Sequence, residues 1–442
     1  MTVGGALRPI VALLALAPAA AASVLDIYGF EPRGAAMGNA QAAVADDHTA
    51  TFYNPAGLTR RKKVSVGAGF IATFPHLEID RAYAGPRAGY VDHRLPPDFF
   101  GFDLGALFPL GGRFDDRVAV GVSVYLPTVN VLRGEGIDPQ VPQFYRYQSL
   151  PDKFVVLAAA AVEITDWLSV GAGVQVLASL DGAVDVQLEL ANRRVRSQAV
   201  EVEVTPTAAM VAGLLVTPLP ALRIGASYRH ALQLDFALPT RIVIDDLIDL
   251  DIDIVGTVLY SPHYLNLGVA YDILPADLLI SAELSYAFWS LAPDPSPTFS
   301  IDIGGELVDG LGLGERLDVG TGAPVELSFR DVPILKVGLE HRPHPRVRLR
   351  AGYTWRPTPA PVPTGTYNYV DSDAHVLAVG AGFSFADPLE VRRNPVTLDV
   401  VYQATLLSEQ SVQKSLGALD PVGDYTSHGV IHSFGVAFRH DL

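Results

Sequence analysis

Apolar and polar residues alternate over most of the chain, in segments of about ten residues bounded by Gly, Pro, Asp or Asn, which is the period of a strand with one apolar face. In Val347-Arg348-Leu349-Arg350-Ala351-Gly352-Tyr353-Thr354-Trp355-Arg356 one face carries Val, Leu, Ala, Tyr and Trp, and the other Arg, Arg, Gly, Thr and Arg. Val396, Leu398, Val400 and Tyr402 oppose Thr397, Asp399 and Gln403 in the same way, and Ile280, Ala282, Leu284, Tyr286 and Phe288 oppose Ser281, Glu283 and Ser285. The alternation predicts strands near 63–74, 99–110, 117–127, 153–165, 167–190, 197–217, 222–239, 261–273, 278–290, 332–342, 347–357, 374–386, 396–410 and 428–442. That is about fourteen, an even number as single-chain bacterial barrels have.

The connections between these segments alternate in length. Short links such as Thr165-Asp166, Pro218-Leu219-Pro220 and Pro343-His344-Pro345 are interleaved with long ones at 75–98, 128–152, 240–260, 291–331, 358–373 and 411–427, with 190–197 a shorter exception. Outer-membrane barrels pair short periplasmic turns with long external loops. On that parity the first strand starts and the last strand ends at the periplasmic side, so both mature termini are expected there.

Composition agrees with this reading. The chain is 49% hydrophobic and 18% charged, with a mean hydropathy of +0.26. Beyond the N-terminus, however, no stretch approaches the ~20 consecutive apolar residues that a membrane helix needs. The first residues have the make-up of a secretory signal: Arg8, an apolar core from Ile10 to Leu16, and the small-residue site Ala20-Ala21-Ala22. Cleavage there divides the chain into a signal peptide at 1–22, an N-terminal segment at 23–62 and a barrel at 63–442. Cys is absent, which excludes disulfides, thiol catalysis and Cys-based metal sites. A net charge of −16 argues against a nucleic-acid partner and suits acidic external loops.

Between the signal and the first strand lies Gly34-Ala35-Ala36-Met37-Gly38, followed by Ala45-Asp46-Asp47 and then Asn54-Pro55-Ala56-Gly57. It is a small-residue peptide suited to short helices and ends in a turn. This segment resembles the N-terminal hatch of the FadL/TodX-like outer-membrane transport family. Ile224-Gly225-Ala226-Ser227-Tyr228-Arg229 and the strand that opens Asp371-Ser372-Asp373 are also similar to that family. The resemblance implies an all-β transmembrane antiparallel barrel of fourteen strands with the hatch in its lumen. It further implies passive uptake of long-chain fatty acids through an apolar pocket, release by hatch movement, and lateral exit. The physics of capture is coherent, since each CH₂ gains ~0.8 kcal/mol on leaving water.

On this reading Gly34, Met37, Gly38, Asp46, Asp47, Asn54, Pro55, Ala56 and Gly57 form the hatch and its bend, and Phe30 lies in or near the pocket. A carboxylate ligand calls for a cation, and strand phase puts Arg229, Lys336, Arg348 and Arg350 on the inward face. Arg229, Lys336 and Arg350 are the candidates, although Glu283, Glu340 and Asp399 share the face and make solvated ion pairs the competing reading. The alternating Gly of Val66-Gly67-Ala68-Gly69-Phe70, Val170-Gly171-Ala172-Gly173-Val174 and Val379-Gly380-Ala381-Gly382-Phe383 permits either strand curvature or close approach of another backbone.

Asp249, Asp251 and Asp253 share one side of an extended segment but lack the loop geometry that calcium needs, so a solvated face is expected. Gly310-Leu311-Gly312-Leu313-Gly314 lacks the strand-then-helix setting of a phosphate site. No Gly-x-Ser-x-Gly elbow and no His-Glu-x-x-His pair occurs. No metal, cofactor or catalytic residue is therefore assigned. The partners expected are a hydrophobic ligand, outer-membrane lipid and, because the strand ending Phe434 to Leu442 is similar to those the insertion machinery reads, that machinery during assembly of a monomer. Uptake of aromatic hydrocarbons by the same route is the alternative, followed by a barrel hydrolase.

Overall fold

The computed structural model describes residues 24–81, 93–128, 141–148, 154–189, 194–245, 247–293, 298–311, 320–321, 328–365, 367–386, 394–417, 420 and 422–442. The signal segment 1–22 lies outside them. Eighteen strands occur among the described residues: β1 Ser65–Arg81, β2 Phe99–Leu110, β3 Val118–Pro127, β4 Val155–Thr165, β5 Leu168–Glu189, β6 Arg194–Leu219, β7 Leu222–Arg229, β8 Leu232–Ile244, β9 Ile248–Ser261, β10 His263–Ile273, β11 Leu278–Phe288, β12 Thr298–Gly304, β13 Gly320–Thr321, β14 Val332–His344, β15 Val347–Arg356, β16 Ala374–Phe385, β17 Val396–Val412 and β18 Tyr425–Asp441.

Fourteen of these form a closed antiparallel barrel, running β1 to β7, then β10, β11 and β14 to β18, and back to β1. The seam is the β1–β18 pairing, in register from Ser65↔Asp441 to Arg81↔Tyr425. Closure leaves the wall no free edge, which is the condition for crossing lipid with strands. The side chains divide as the alternation requires. Phe102, Leu104, Leu267, Val379 and Phe438 are each half or more exposed. Arg350, Glu340, Asp399, Ser285 and Gln403, on the opposite face, are buried. An apolar exterior with polar groups facing inward inverts the rule for soluble proteins and fits a lipid surround.

Two sequence expectations need correction. The segment 222–239 is not one strand: β7 stops at Arg229, His230 N–H donates to the Met210 carbonyl at 2.9 Å, and β8 leaves the wall. The stretches 240–260 and 291–331, expected as loops, contain β9, β12 and β13. Together with β8 these build a sheet beyond the wall, with β8 paired to β9 and β9 to β12. The wall closes behind it, because β7 pairs directly with β10 from Tyr264↔Arg229 to Tyr271↔Leu222. Alternation marks a strand without naming its partner, and no Gly or Pro separates Arg229 from Leu232.

Residues 24–60 pack on the polar face of the wall and touch all fourteen strands. One glycine of each alternating pair makes room for this segment. A Cβ on Gly171 would strike Pro55, one on Gly380 would strike Ala36, and one on Gly67 would strike the His48 ring. Close approach, not curvature alone, accounts for them.

Candidate functional site

The N-terminal segment consists of short pieces joined by tight turns. Helices cover Val24–Tyr28 and Glu31–Ala36, the second with Pro32 in its first turn, where the missing N–H costs nothing. Gly38 follows in the left-handed region at φ +60, with the β15 backbone at Tyr353 so close that no side chain fits. Its carbonyl accepts a hydrogen bond from Thr354 Oγ1 at 2.6 Å. After helix Ala50–Tyr53, Asn54 makes the bend into the 3₁₀ turn Pro55–Arg60. Its amide donates to the Ala42 carbonyl at 2.6 Å and to the Leu214 carbonyl of β6 at 3.0 Å, while its oxygen accepts from Ala56 N–H at 3.1 Å. Ala56 and Met37 are fully buried. Gly57 lies against the Ala45 carbonyl, and Gly34 against the Tyr53 ring.

Asp46 and Asp47 tie this segment to the wall. Asp46 faces Arg33 at 2.5 Å and Arg61 at 3.3 Å, and Arg61 reaches Asp441 of β18 at 2.7 Å. Asp47 pairs with Arg439 of β18 at 2.6 Å and accepts from Thr49 N–H at 3.1 Å. Burial opposes charge on both, yet Arg33, Arg61 and Arg60 hold the Asp46 carboxyl, and Arg439, His48 and Arg33 the Asp47 carboxyl, well below the usual range. His48 is buried beside Glu31. Burial works against its imidazolium, but Glu31, Asp47 and Asp103 outweigh that and raise its pKa to about 8.

Between the start of this segment and the wall lies a recess of about 600 Å³, including its open side. Leu25, Ile27, Phe52, Tyr264, Ile334 and Val376 supply its apolar surface, and Arg229, Lys336, Arg356, Asp26 and Glu283 its charges. Arg229 pairs with Asp26 and lies over the rings of Phe52 at 4.3 Å and Tyr264 at 4.8 Å. Lys336 pairs with Glu283 at 2.7 Å, and Glu283 also accepts from Ala42 N–H at 2.7 Å. Arg356 differs from both. It donates to Tyr147 Oη at 2.8 Å and to the Ile27 carbonyl at 3.4 Å, and among the described residues no carboxylate lies within ion-pair distance of it. A second space of about 350 Å³, bounded by Asp26, Ile27, Tyr264, Ile334 and Arg356 together with Arg146 and Trp289, adjoins the first. A third, of about 370 Å³, is lined by the rings of Tyr28, Phe30, Phe70 and Tyr125.

The structure therefore brings Arg229 and Lys336 to the main recess, places Phe30 at the aromatic one, and puts Arg350 at neither. Arg350 is locked to Glu340 at 2.8 Å and to Asp399 at 2.6 Å, with all three buried. The ion pairs of this face are thus enclosed instead of solvated. Arg356 takes the place expected for Arg350. It shares the strand and the face but stands six residues further along, about 20 Å away at strand rise. Alternation alone fixes the face and leaves that height open.

The fold defines a class: closed fourteen-strand barrels whose N-terminal segment packs against the polar face of the wall. A Pseudomonas aeruginosa FadL homologue is similar at a TM-score of 0.56 and 15% identity, over 92% of this chain and 96% of its own. The P. putida toluene transporter TodX is similar at a TM-score of 0.58 and 13% identity, over 94% and 99%. The Ralstonia pickettii toluene transporter TbuX matches at 0.52 and 17%, over 95% and 100%. At these identities the likeness establishes the fold. No protein-family model and no curated relative matches the sequence.

Proposed function

We propose that this protein is an outer-membrane channel for the passive uptake of hydrophobic small molecules, with residues 23–62 as a hatch in the barrel lumen. A peptide in contact with all fourteen strands of a closed wall has the position of a plug, and the apolar exterior supports a membrane setting. The observation that carries the reading is the main recess. Apolar and aromatic side chains of the segment and of the wall face each other across it, with a few charged groups among them, which is the mixture of surfaces that small-molecule sites show.

The recess is charged in a way that favours an amphipathic anion. Three cations, Arg229, Lys336 and Arg356, stand against two carboxylates, Asp26 and Glu283, and Arg356 lacks an acidic partner among the described residues. A long-chain fatty acid matches this arrangement: the tail gains from leaving water while the carboxylate meets a guanidinium. An aromatic hydrocarbon is the second reading, favoured by the ring-lined space at Phe30 and by the toluene transporters that share the fold.

Mass spectrometry of the small molecules that copurify with the detergent-solubilised protein, followed by binding of a long-chain fatty acid and of toluene, separates the two. A saturable fatty-acid complex is expected. Absence of binding by both probes, with uptake of both unchanged in a deletion strain, would reject the channel reading. A hydrolase reading requires ester cleavage by the purified protein.

A further inference from the structure

Glu31, His48 and Asp103 meet away from the main recess. The first two belong to the N-terminal segment and the third to β2. All three are more than nine-tenths buried, His48 completely so. One ligating atom of each lies within 4.8 Å of the other two. Glu31 Oε1 is 2.9 Å from His48 Nε2, a close approach without the alignment of a hydrogen bond. That oxygen, both imidazole nitrogens and Asp103 Oδ1 are buried without a hydrogen-bond partner. The surroundings are shaped for the trio. A Cβ on Gly67 or Gly105 would collide with the imidazole, and one on Gly69 would collide with the Asp103 carboxylate.

Charge decides what such a cluster is for. The nearby cations are engaged elsewhere, Arg439 with Asp47 at 2.6 Å and Arg33 with Asp46 at 2.5 Å. Among the described residues, neither Glu31 nor Asp103 has an ion-pair partner other than His48. Buried polar atoms left without a partner are costly, and four of them converge here. A divalent cation would partner both orphaned carboxylate oxygens and one imidazole nitrogen together.

We propose that Glu31, His48 and Asp103 bind a divalent transition-metal ion. One imidazole with two carboxylates suits zinc, manganese or cobalt, whereas calcium prefers an all-oxygen shell. The ion would join the N-terminal segment to β2 as a crosslink. The proposal departs from the expectation of no metal drawn from the sequence, where the three residues stand 17 and 55 positions apart and match no ligand spacing.

A second trio pairs exposed Glu78 and Asp80 with half-buried His428, so the test is made in a His428→Ala chain that lacks it. The full chain is refolded into detergent micelles with Co²⁺, freed of loose metal and analysed for bound cobalt and its visible spectrum. Folding is read from heat-dependent migration on a gel. One equivalent per chain is expected in His428→Ala, and none once Asp103→Asn or His48→Gln is added. A folded His428→Ala chain that retains no metal, or retains it equally after either further substitution, overturns the proposal and leaves two carboxylates sharing a proton. Should the added substitutions prevent folding, X-ray absorption of cobalt in the His428→Ala chain decides, since a shell without an imidazole overturns it equally. The readout is bound metal, so the result does not depend on what the barrel carries.

Discussion

Asn54 uses both amide protons and its oxygen within one turn, holding the N-terminal segment to itself and to β6. Asn54→Ala leaves the carbonyls of Ala42 and Leu214 without these donors inside the protein, at a cost of about 1–3 kcal/mol per orphaned buried group. The expected result is faster protease cleavage within 24–60 of an otherwise folded barrel, and cleavage at the wild-type rate would contradict it. Arg350 and Arg356 give opposite expectations despite sharing a strand face. Arg350→Gln strips the cation from buried Glu340 and Asp399 and is expected to destabilise the fold by about 3–5 kcal/mol, measured by thermal unfolding. Arg356→Gln can keep bonds to Tyr147 and the Ile27 carbonyl, so the fold is expected to hold while fatty-acid binding weakens and toluene binding does not. Equal loss of both ligands would remove Arg356 from carboxylate recognition. The difference was illegible before the fold because alternation reports face and not depth. The same limit hid Glu31, His48 and Asp103, which long-range packing alone brings together.

At the scale of elements, the wall was legible because most of its strands repeat one rule, apolar outward and polar or small inward, for about ten residues, although β4 is apolar on both faces. Val347–Arg356 and Leu278–Phe288 sit where their patterns put them. The sheet of β8, β9 and β12 was not legible in the same way. Asp249, Asp251 and Asp253 alternate with apolar neighbours as well as any wall strand does, yet β9 pairs outside the barrel. Since β7 and β10 pair without it, replacing residues 234–258 by a short polar turn is expected to leave the wall closed. Heat-dependent migration and unchanged thermal stability of the barrel would verify this, and a chain that fails to fold would mean that the outer sheet supports the wall.

On the scale of the whole molecule, the segment and the wall are complementary in charge as well as shape. Asp47 answers Arg439, and Asp46 together with Asp441 answers Arg61. Deleting residues 24–58 from the mature chain is expected to leave a barrel that conducts ions in a planar bilayer, where the intact protein conducts little. Equal conductance would refute the plug reading.

The seam carries a consequence for how the molecule is made. Arg61 and Asp441, bonded at 2.7 Å, stand 380 positions apart, and β1 cannot find its partner until β18 exists. The segment that touches every strand of the wall precedes them all in the chain. The β1–β18 zipper, which joins the first and last strands of the wall, can close only once the strands between them are in place. Until then the growing sheet has two raw edges, the kind of surface that recruits neighbours indiscriminately. Joining ends this distant in sequence is also slow. A nascent chain stalled short of Tyr425 would therefore be the species most in need of a chaperone.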